Sequence, residues 1–323
     1  MTGIQVSSFS NCPPAYGLTM LAVPVYCFIS GLVSGISRSI AVYGLKDTTE
    51  KGIPMPIRRT ILACLALLII HMPASTRAAD TQNVPDYELL KQKICLKYRG
   101  AEPKKWGENV SGVKTRLATS DKVIALTFDA CGSHKGMGLD SRLVAFLEKE
   151  RIPATLFINA RWIEPNRAAF DRLAANPLFE IGNHGYRHKP ASVNGKSVYG
   201  INGTKSAGDL VDEIELNARL IETLTGKKPR FYRSGTAYYD EVAVNIASDL
   251  GEEIAGFSVL GDAGATFSRE QVRKALLSAP AGAIVIMHMN HPESGTADGV
   301  MDAVPELRKR GFRFVKLSDY PLQ

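Results

Sequence analysis

From Lys122 onward the chain alternates between short apolar runs and segments whose apolar residues recur every three or four positions. That alternation constrains the fold more than any other feature. Val123-Ile124-Ala125-Leu126-Thr127-Phe128 is a near-continuous apolar run, as a strand buried on both faces requires. Ala154–Ile158, Phe179–Gly182, Arg230–Arg233, Ile254–Leu260, Ala283–His288 and Phe312–Lys316 read as further strands. Leu139, Leu143, Phe146 and Leu147 then fall at helical spacing, with Asp140 placed to cap the helix and Leu139 and Val144 to staple it. Arg167–Ala175, Glu241–Leu250, Arg269–Leu277 and Val300–Lys309 read as helices. So does a longer amphipathic segment marked by Leu210, Ile214, Ile221 and Leu224 and ending at Gly226. Seven strands alternating with six helices predict an α/β fold whose parallel sheet is closed, or nearly closed, into a barrel. Residues 189–208, rich in Gly, Ser and Asn, form an insertion long enough to border a crevice.

Several polar residues stand where those strands end. Phe179-Glu180-Ile181-Gly182-Asn183-His184-Gly185-Tyr186-Arg187-His188 is a short apolar run followed by two histidines four apart. Two imidazoles at that spacing meet on one divalent cation if the backbone turns once between them, and Gly182 and Gly185 supply the freedom to turn. An isolated pair of this kind is more often a polar surface loop. Here, however, Asp129, Arg233, Asp262 and His288 also stand at or just past apolar, strand-like runs. In a parallel sheet those ends converge on one crevice. Read singly, each has a plainer role: Asp129 as a turn cap, Arg233 with Asp262 as a structural ion pair, His288 as a satisfied core histidine. His134 and His291 fall in loops and read as surface residues.

Composition excludes little: 45% of the 323 residues are hydrophobic and 22% charged, ordinary globular values. The formal charge of +7 comes largely from the first 79 residues, with six Lys/Arg against two Asp/Glu. Beyond them 33 basic residues face 30 acidic ones, with no basic stripe interleaved with aromatics, which argues against a nucleic-acid surface. The segment 55–78 reads as a secretory signal, with Arg58 and Arg59 ahead of the apolar run Ile61–Ile70 and a small-residue cleavage site at Thr76-Arg77-Ala78. Ten apolar residues are too few for a membrane span, which needs about 20. Met55 is then the expected biological start and residues 1–54 an upstream extension; the rival is a span through Leu18–Ile36, broken by Pro24 and several glycines. Residues 79–120 read as an N-terminal arm, with a short helix at Tyr87–Ile94, and residues 121–323 as the main domain. Cys95 and Cys131 are the two cysteines past the cleavage site, an even pair that in an oxidising compartment suggests a disulfide contributing about 3 kcal/mol.

Thr127-Phe128-Asp129, the His184/His188 pair, Arg233 after a strand, and Ile286-Met287-His288 come in the order found in the polysaccharide deacetylase family. This family is also called the NodB homology family or carbohydrate esterase family 4, and the similarity covers roughly residues 120–320. The resemblance implies a distorted (β/α)7 barrel and metal-dependent removal of N-acetyl groups from amino sugars of a polysaccharide such as peptidoglycan or chitin. It implies that His184 and His188 bind a divalent cation, often zinc, which lowers the pKa of water. It further implies Asp129 as general base, His288 as general acid, and Arg233 with Asp262 as the network that keeps the base ionised and aimed.

The sequence departs from the family twice. The family's first motif carries a second aspartate that completes the metal site, and this chain has Ala130 there, then Cys131. Asp129 as ligand, a carboxylate from elsewhere, water, the Cys131 thiolate, or no metal at all are the alternatives. After Arg233 the chain reads Ser234-Gly235-Thr236-Ala237-Tyr238 in place of the usual prolines and aromatic residue, so the backbone donor for the oxyanion is not identified. An exported hydrolase of an N-acyl amino sugar is the first expectation. Hydrolysis of another amide, or glycan binding on a degenerate scaffold, are the rivals. A chain begun at Met55 is expected to be exported and cut near Ala78, as N-terminal sequencing of the exported protein would show; retention of the uncut chain in the cytoplasm would overturn that reading.

Overall fold

The computed structural model describes residues 79–133 and 136–323, with side chains from residue 86 onward. The upstream extension, the signal segment and His134 lie outside the described residues. The chain divides into two compact units. One is Pro13–Tyr87, described only from residue 79, as helix; Glu88–Gln323 belongs to the other, which holds the sheet and the site.

The first helix, α1 (Ala79–Lys97), is longer than the expected Tyr87–Ile94. Its ammonium groups at Lys91 and Lys97 reach Asp212 and Asp249 at 2.6 and 2.5 Å. The strand β1 (Trp106–Gly107) follows, then β2 (Val123–Ala130), buried along its whole length. Next come α2 (Ser141–Lys149), β3 (Ala154–Ile158), the short α3 (Ala160–Ile163), α4 (Arg167–Ala175) and β4 (Phe179–Asn183). The insertion carries a hairpin, β5 (Ser197–Val198) and β6 (Ile201–Asn202), and leads into α5 (Ala207–Thr225). After it run β7 (Phe231–Tyr232), β8 (Tyr239–Asp240), α6 (Glu241–Asp249), β9 (Glu253–Ile254), β10 (Val259–Leu260), α7 (Arg269–Leu277), β11 (Ala283–His288), α8 (Thr296–Lys309) and β12 (Arg313–Val315). The expected caps form: the Asp140 carboxylate accepts from the Arg142 and Leu143 amides at 3.1 Å, and Gly226 ends α5 in the left-handed region at φ 71°.

The main sheet is parallel, in the order β10-β11-β2-β3-β4-β7-β9, with β12 beside the first half of β2. It is a distorted (β/α)7 barrel. The distortion sits where one strand was expected at Ile254–Leu260: that stretch breaks into β9 and β10, at opposite ends of the strand order. The N-terminal arm enters the break. Lys114 donates its amide to the Ile254 carbonyl at 3.0 Å and accepts from the Gly256 amide at 2.8 Å. A side chain at Gly256 would meet Val113 at 2.7 Å, so the arm lies this close only because glycine stands there.

Period-two alternation along β2 builds two apolar layers. Ile124, Leu126, Phe128 and Ala130 face outward onto Leu143, Leu147 and Trp162 under the helices. Val123 and Ala125 face inward with Phe157, Phe231, Ile284 and Leu317. Continuing the inward row puts Thr127 and then Asp129 toward the carboxyl end of the barrel. The expected disulfide is not formed. Cys131 is a free thiol beside His184, while Cys95 lies against Gly208 of α5. Among the described residues no helix is long and apolar enough to cross a membrane.

A buried carboxyl stands just before β9. Glu252 accepts from the Asn183 amide group at 3.0 and 3.1 Å, and burial pushes its pKa up to about 8. A carboxyl whose folded pKa is raised contributes stability below its unfolded pKa and loses it as pH climbs toward the folded one. Between pH 4.5 and about 8 that loss is up to about 1.4 kcal/mol per pH unit. Glu252→Gln is expected to flatten the fall in melting temperature across this window, with little change at pH 5.

Candidate active site

The site is built at the carboxyl ends of β2, β4, β7 and β11, and its centre is a charge with no access to solvent. Arg233 follows β7 and is fully buried. Its Nη1 donates to Asp129 Oδ1 at 2.8 Å and to the Thr127 hydroxyl at 2.9 Å; its Nε and Nη2 donate to the carbonyls of Ala255 and Gly256, both at 3.0 Å. The guanidinium also stacks over Phe157, 4.2 Å from the ring centre. Phe157 needs room: a Cβ on Gly182 would sit 2.7 Å from its ring. Gly182 therefore serves packing and not the expected turn, whereas Gly185, at φ 78°, does turn the chain.

That turn brings the two histidines together, their rings 4.9 Å apart and nearly perpendicular. His184 bonds through Nδ1 to the Arg233 carbonyl at 2.9 Å, so Nδ1 carries the donated hydrogen and Nε2 faces the site. His188 sits at φ 60°, and its Nε2 is buried with no hydrogen-bond partner. Its backbone presses against Gly235, where any side chain would collide with the His188 carbonyl. The loop between them hangs on Glu213 of α5, which accepts from the Arg187 and Lys189 amides at 2.9 and 3.0 Å, while its own carbonyl takes the Tyr186 amide. Burial pushes the Glu213 carboxyl up more than these donors pull it down. Asn159, Asn183 and Asn217 tie the same loop to β3 and α5. Sequence reasoning missed all four; the signal was a polar residue, Glu213 or Asn217, on the apolar face of a helix.

Cys131 completes the cluster. Its Sγ lies 3.6 Å from His184 Nε2, and the donor atoms of Cys131, His184 and His188 all lie within 4.8 Å of one another. Burial alone would push the Cys131 thiol up, but the His188 charge and bonds with His184, His188 and His288 hold it well below the ordinary thiol range. The His184 imidazole is likewise disfavoured as a cation by burial, yet the neighbouring Asp129 and Cys131 raise it. A buried imidazole nitrogen without a partner, beside a second imidazole and a thiol, is a donor set that fits a divalent cation. Asp129 stands close by, its Oδ2 3.7 Å from His184 Nε2.

His288, in register with Asp129 across β11 and β2, bonds Cys131 on one side and is held by Asp262 on the other. Its Nδ1 meets Asp262 Oδ1 at 2.9 Å, and Asp262 Oδ2 accepts from the His288 amide at 2.6 Å and from Thr296 at 3.0 Å. Burial lowers the His288 imidazole, but the Asp262 carboxylate outweighs it and raises it well above the usual histidine range. Arg233 and Asp262 thus form no ion pair with each other. Each serves a different partner, Arg233 the carboxylate of Asp129 and Asp262 the imidazole of His288. His291 pairs at the surface with Glu293 at 2.9 Å.

A cavity of about 580 Å³ opens over Asp129 and His288, lined also by Glu108, Tyr199, Thr236, Phe257 and Leu260. Tyr199, on the insertion hairpin, stacks edge-on against Tyr238 at 5.6 Å, and Tyr238 rests on Trp106 of the arm at 5.8 Å. Arm and insertion together therefore make an aromatic wall. The Thr236 hydroxyl is buried without a partner where the family's proline motif is missing.

The family model described as polysaccharide deacetylase matches residues 116–255. The peptidoglycan-N-acetylmuramic acid deacetylase PdaA of Bacillus subtilis is 23% identical over 209 residues, 62% of this chain and 72% of that one. A bifunctional xylanase/deacetylase of Pseudobutyrivibrio xylanivorans is 24% identical over 65% of this chain and 32% of its own length. The solved structure of PdaA aligns with a TM-score of 0.54 at 22% identity, covering 65% of this chain and 84% of that one. A carbohydrate esterase family 4 pseudoenzyme from Bacillus anthracis aligns with a TM-score of 0.54 at 23% identity, covering 66% and 70%. These structures share the fold.

Removing the buried guanidinium strands a carboxylate and two carbonyls. Arg233→Met is expected to cost about 3–5 kcal/mol, which for a domain of this size lowers the melting temperature by roughly 10 °C. A thermal melt unchanged within about 2 °C would contradict the hub role given to Arg233.

Proposed function

Since residues 116–255 are a polysaccharide deacetylase domain of divergent sequence, we propose that the chain is an exported, metal-dependent hydrolase that removes N-acetyl groups from amino sugars of a polysaccharide such as peptidoglycan. The observation that carries the reading is the placement of Asp129 and His288 on one cavity, each held by its own buried partner. His184 and His188 would hold a divalent cation, zinc by the chemistry of the donors, which would supply the Lewis acidity that activates water near neutral pH.

The protein's own groups do the rest. Arg233 fixes Oδ1 of Asp129, leaving Oδ2 on the His184 side to take the proton of the attacking water. His288 lines the same cavity with Nδ1 held by Asp262, so Nε2 is the atom that delivers a proton to the departing amine. The raised pKa of His288 keeps that proton in place near neutrality, as a general acid needs. Tyr199 on the cavity, backed by Tyr238 and Trp106, offers an apolar ring face of the sort that stacks on sugars, which favours a glycan over a small cyclic amide. Export rests on the signal-like segment and on the cell-wall substrate named for the Bacillus subtilis relative.

The test is acetate release from N-acetylated peptidoglycan and from chitin oligomers by the zinc-loaded protein. Asp129→Asn is expected to lower the rate by about 10²–10⁴-fold while zinc content stays at the wild-type level. Binding of glycan with no acetate released from either substrate would instead identify a glycan-binding protein on a deacetylase scaffold. Zinc lost together with activity in Asp129→Asn would make Asp129 a ligand and leave the base unassigned.

A further inference from the structure

We infer that the third protein ligand of the cation is the thiolate of Cys131, so that this site selects thiophilic cations such as zinc, cobalt and cadmium over magnesium, calcium and manganese. The inference rests on the reading that His184 and His188 hold a cation, and it concerns how this chain fills the place of the carboxylate that Ala130 lacks.

Distance is the first argument. In a tetrahedral site with a metal–sulfur bond of about 2.3 Å and a metal–nitrogen bond of about 2.05 Å, the two donors stand about 3.6 Å apart. Cys131 Sγ and His184 Nε2 are 3.6 Å apart. Among the described residues, Cys131, His184 and His188 are the donors that gather within 4.8 Å of one another. His188 Nε2, buried and unpartnered, is the third member of that group and is held there by a left-handed backbone. A buried, unpartnered imidazole nitrogen beside a second imidazole and a thiol is available as a ligand atom.

The local chain explains why sulfur takes the place of the carboxylate. Ala130 belongs to the outer apolar layer with Phe128, Leu143 and Trp162, so its side chain points away from the histidines. Gly132 follows at φ 63° with its α-carbon against the backbone of Arg161 and Trp162, where a side chain has no room. Between these two residues Cys131 faces inward. Asp129 is the remaining rival, with Oδ2 3.7 Å from His184 Nε2, but its Oδ1 is bound to Arg233 and it is not among the donors that gather within 4.8 Å of one another. A thiolate is softer than a carboxylate, and soft ligands favour zinc and its neighbours over hard oxygen-seeking cations.

Cobalt(II) reads the ligand directly, because a bound thiolate adds a near-ultraviolet charge-transfer band to the visible ligand-field bands. The full chain is stripped with chelator and titrated with cobalt chloride. The wild type is expected to show both sets of bands. Cys131→Ser should keep the visible bands, lose the charge-transfer band and bind cobalt at least about tenfold more weakly, since even changes outside the ligand shell cost about 10–100-fold. Cys131→Asp should also lose the band and gain manganese binding relative to zinc, which checks that the altered site still folds. Visible cobalt bands in the wild type without a charge-transfer band would overturn the thiolate ligand and leave the two-histidine site standing. A wild type that binds no cobalt would overturn the metal reading itself, and this inference with it.

Discussion

A buried, fully engaged guanidinium is the interaction on which the rest of the site depends. Taking Arg233 out of water costs several kcal/mol, and an ion pair alone does not reliably offset that. Here the cost is met by a shared set of partners: one carboxylate, one hydroxyl, two carbonyls and an aromatic face. They come from three parts of the barrel. Thr127 and Asp129 lie on β2, Phe157 on β3, and Ala255 and Gly256 at the break after β9. Thr127 passes the network on by donating its hydroxyl hydrogen to Val285 of β11 at 2.7 Å. The hub therefore fixes the relative positions of four strands and, through its own carbonyl, the tautomer of His184.

The histidine loop shows the same economy on the other side. Its first amide, at His184, still pairs with Ile158 of β3, while those of Gly185, Arg187 and Lys189 turn instead to the side chains of Asn183 and Glu213. Buried backbone donors require partners, and a loop held this way becomes as rigid as a strand. That rigidity keeps His188 in a left-handed conformation and leaves its Nε2 aimed at its neighbours.

Two functional halves follow from the separation of the charges. Asp129 with Arg233 lies beside the His184 imidazole, while His288, in register with Asp129 on the neighbouring strand, is held by Asp262. A carboxylate held by a guanidinium and an imidazole whose pKa a second carboxylate raises thus face one cavity. Tyr199 of the insertion and Glu108 of the arm then line the cavity from segments outside the regular strand–helix alternation, where loops vary most easily on a common barrel.

The sequence by itself determined the fold class and the residues that meet. Apolar runs such as Val123–Phe128, separated by segments of helical period, can bury their surface only in a parallel sheet clad with helices. Polar residues at the ends of those runs must then converge, as Asp129, His184, His188, Arg233 and His288 do. Asp140 and Gly226 were legible for the same local reason, since caps depend on a few consecutive residues. What the sequence left open was every choice made between distant segments. Nothing local reveals that Arg233 answers Asp129 while Asp262 answers His288, that the arm fills the break at Gly256, or that Glu213 carries the histidine loop. Nor does it reveal that Ala130 turns outward and Cys131 inward. Those are decided by strand register and by glycines that permit close approach, and both exist only once the barrel has assembled.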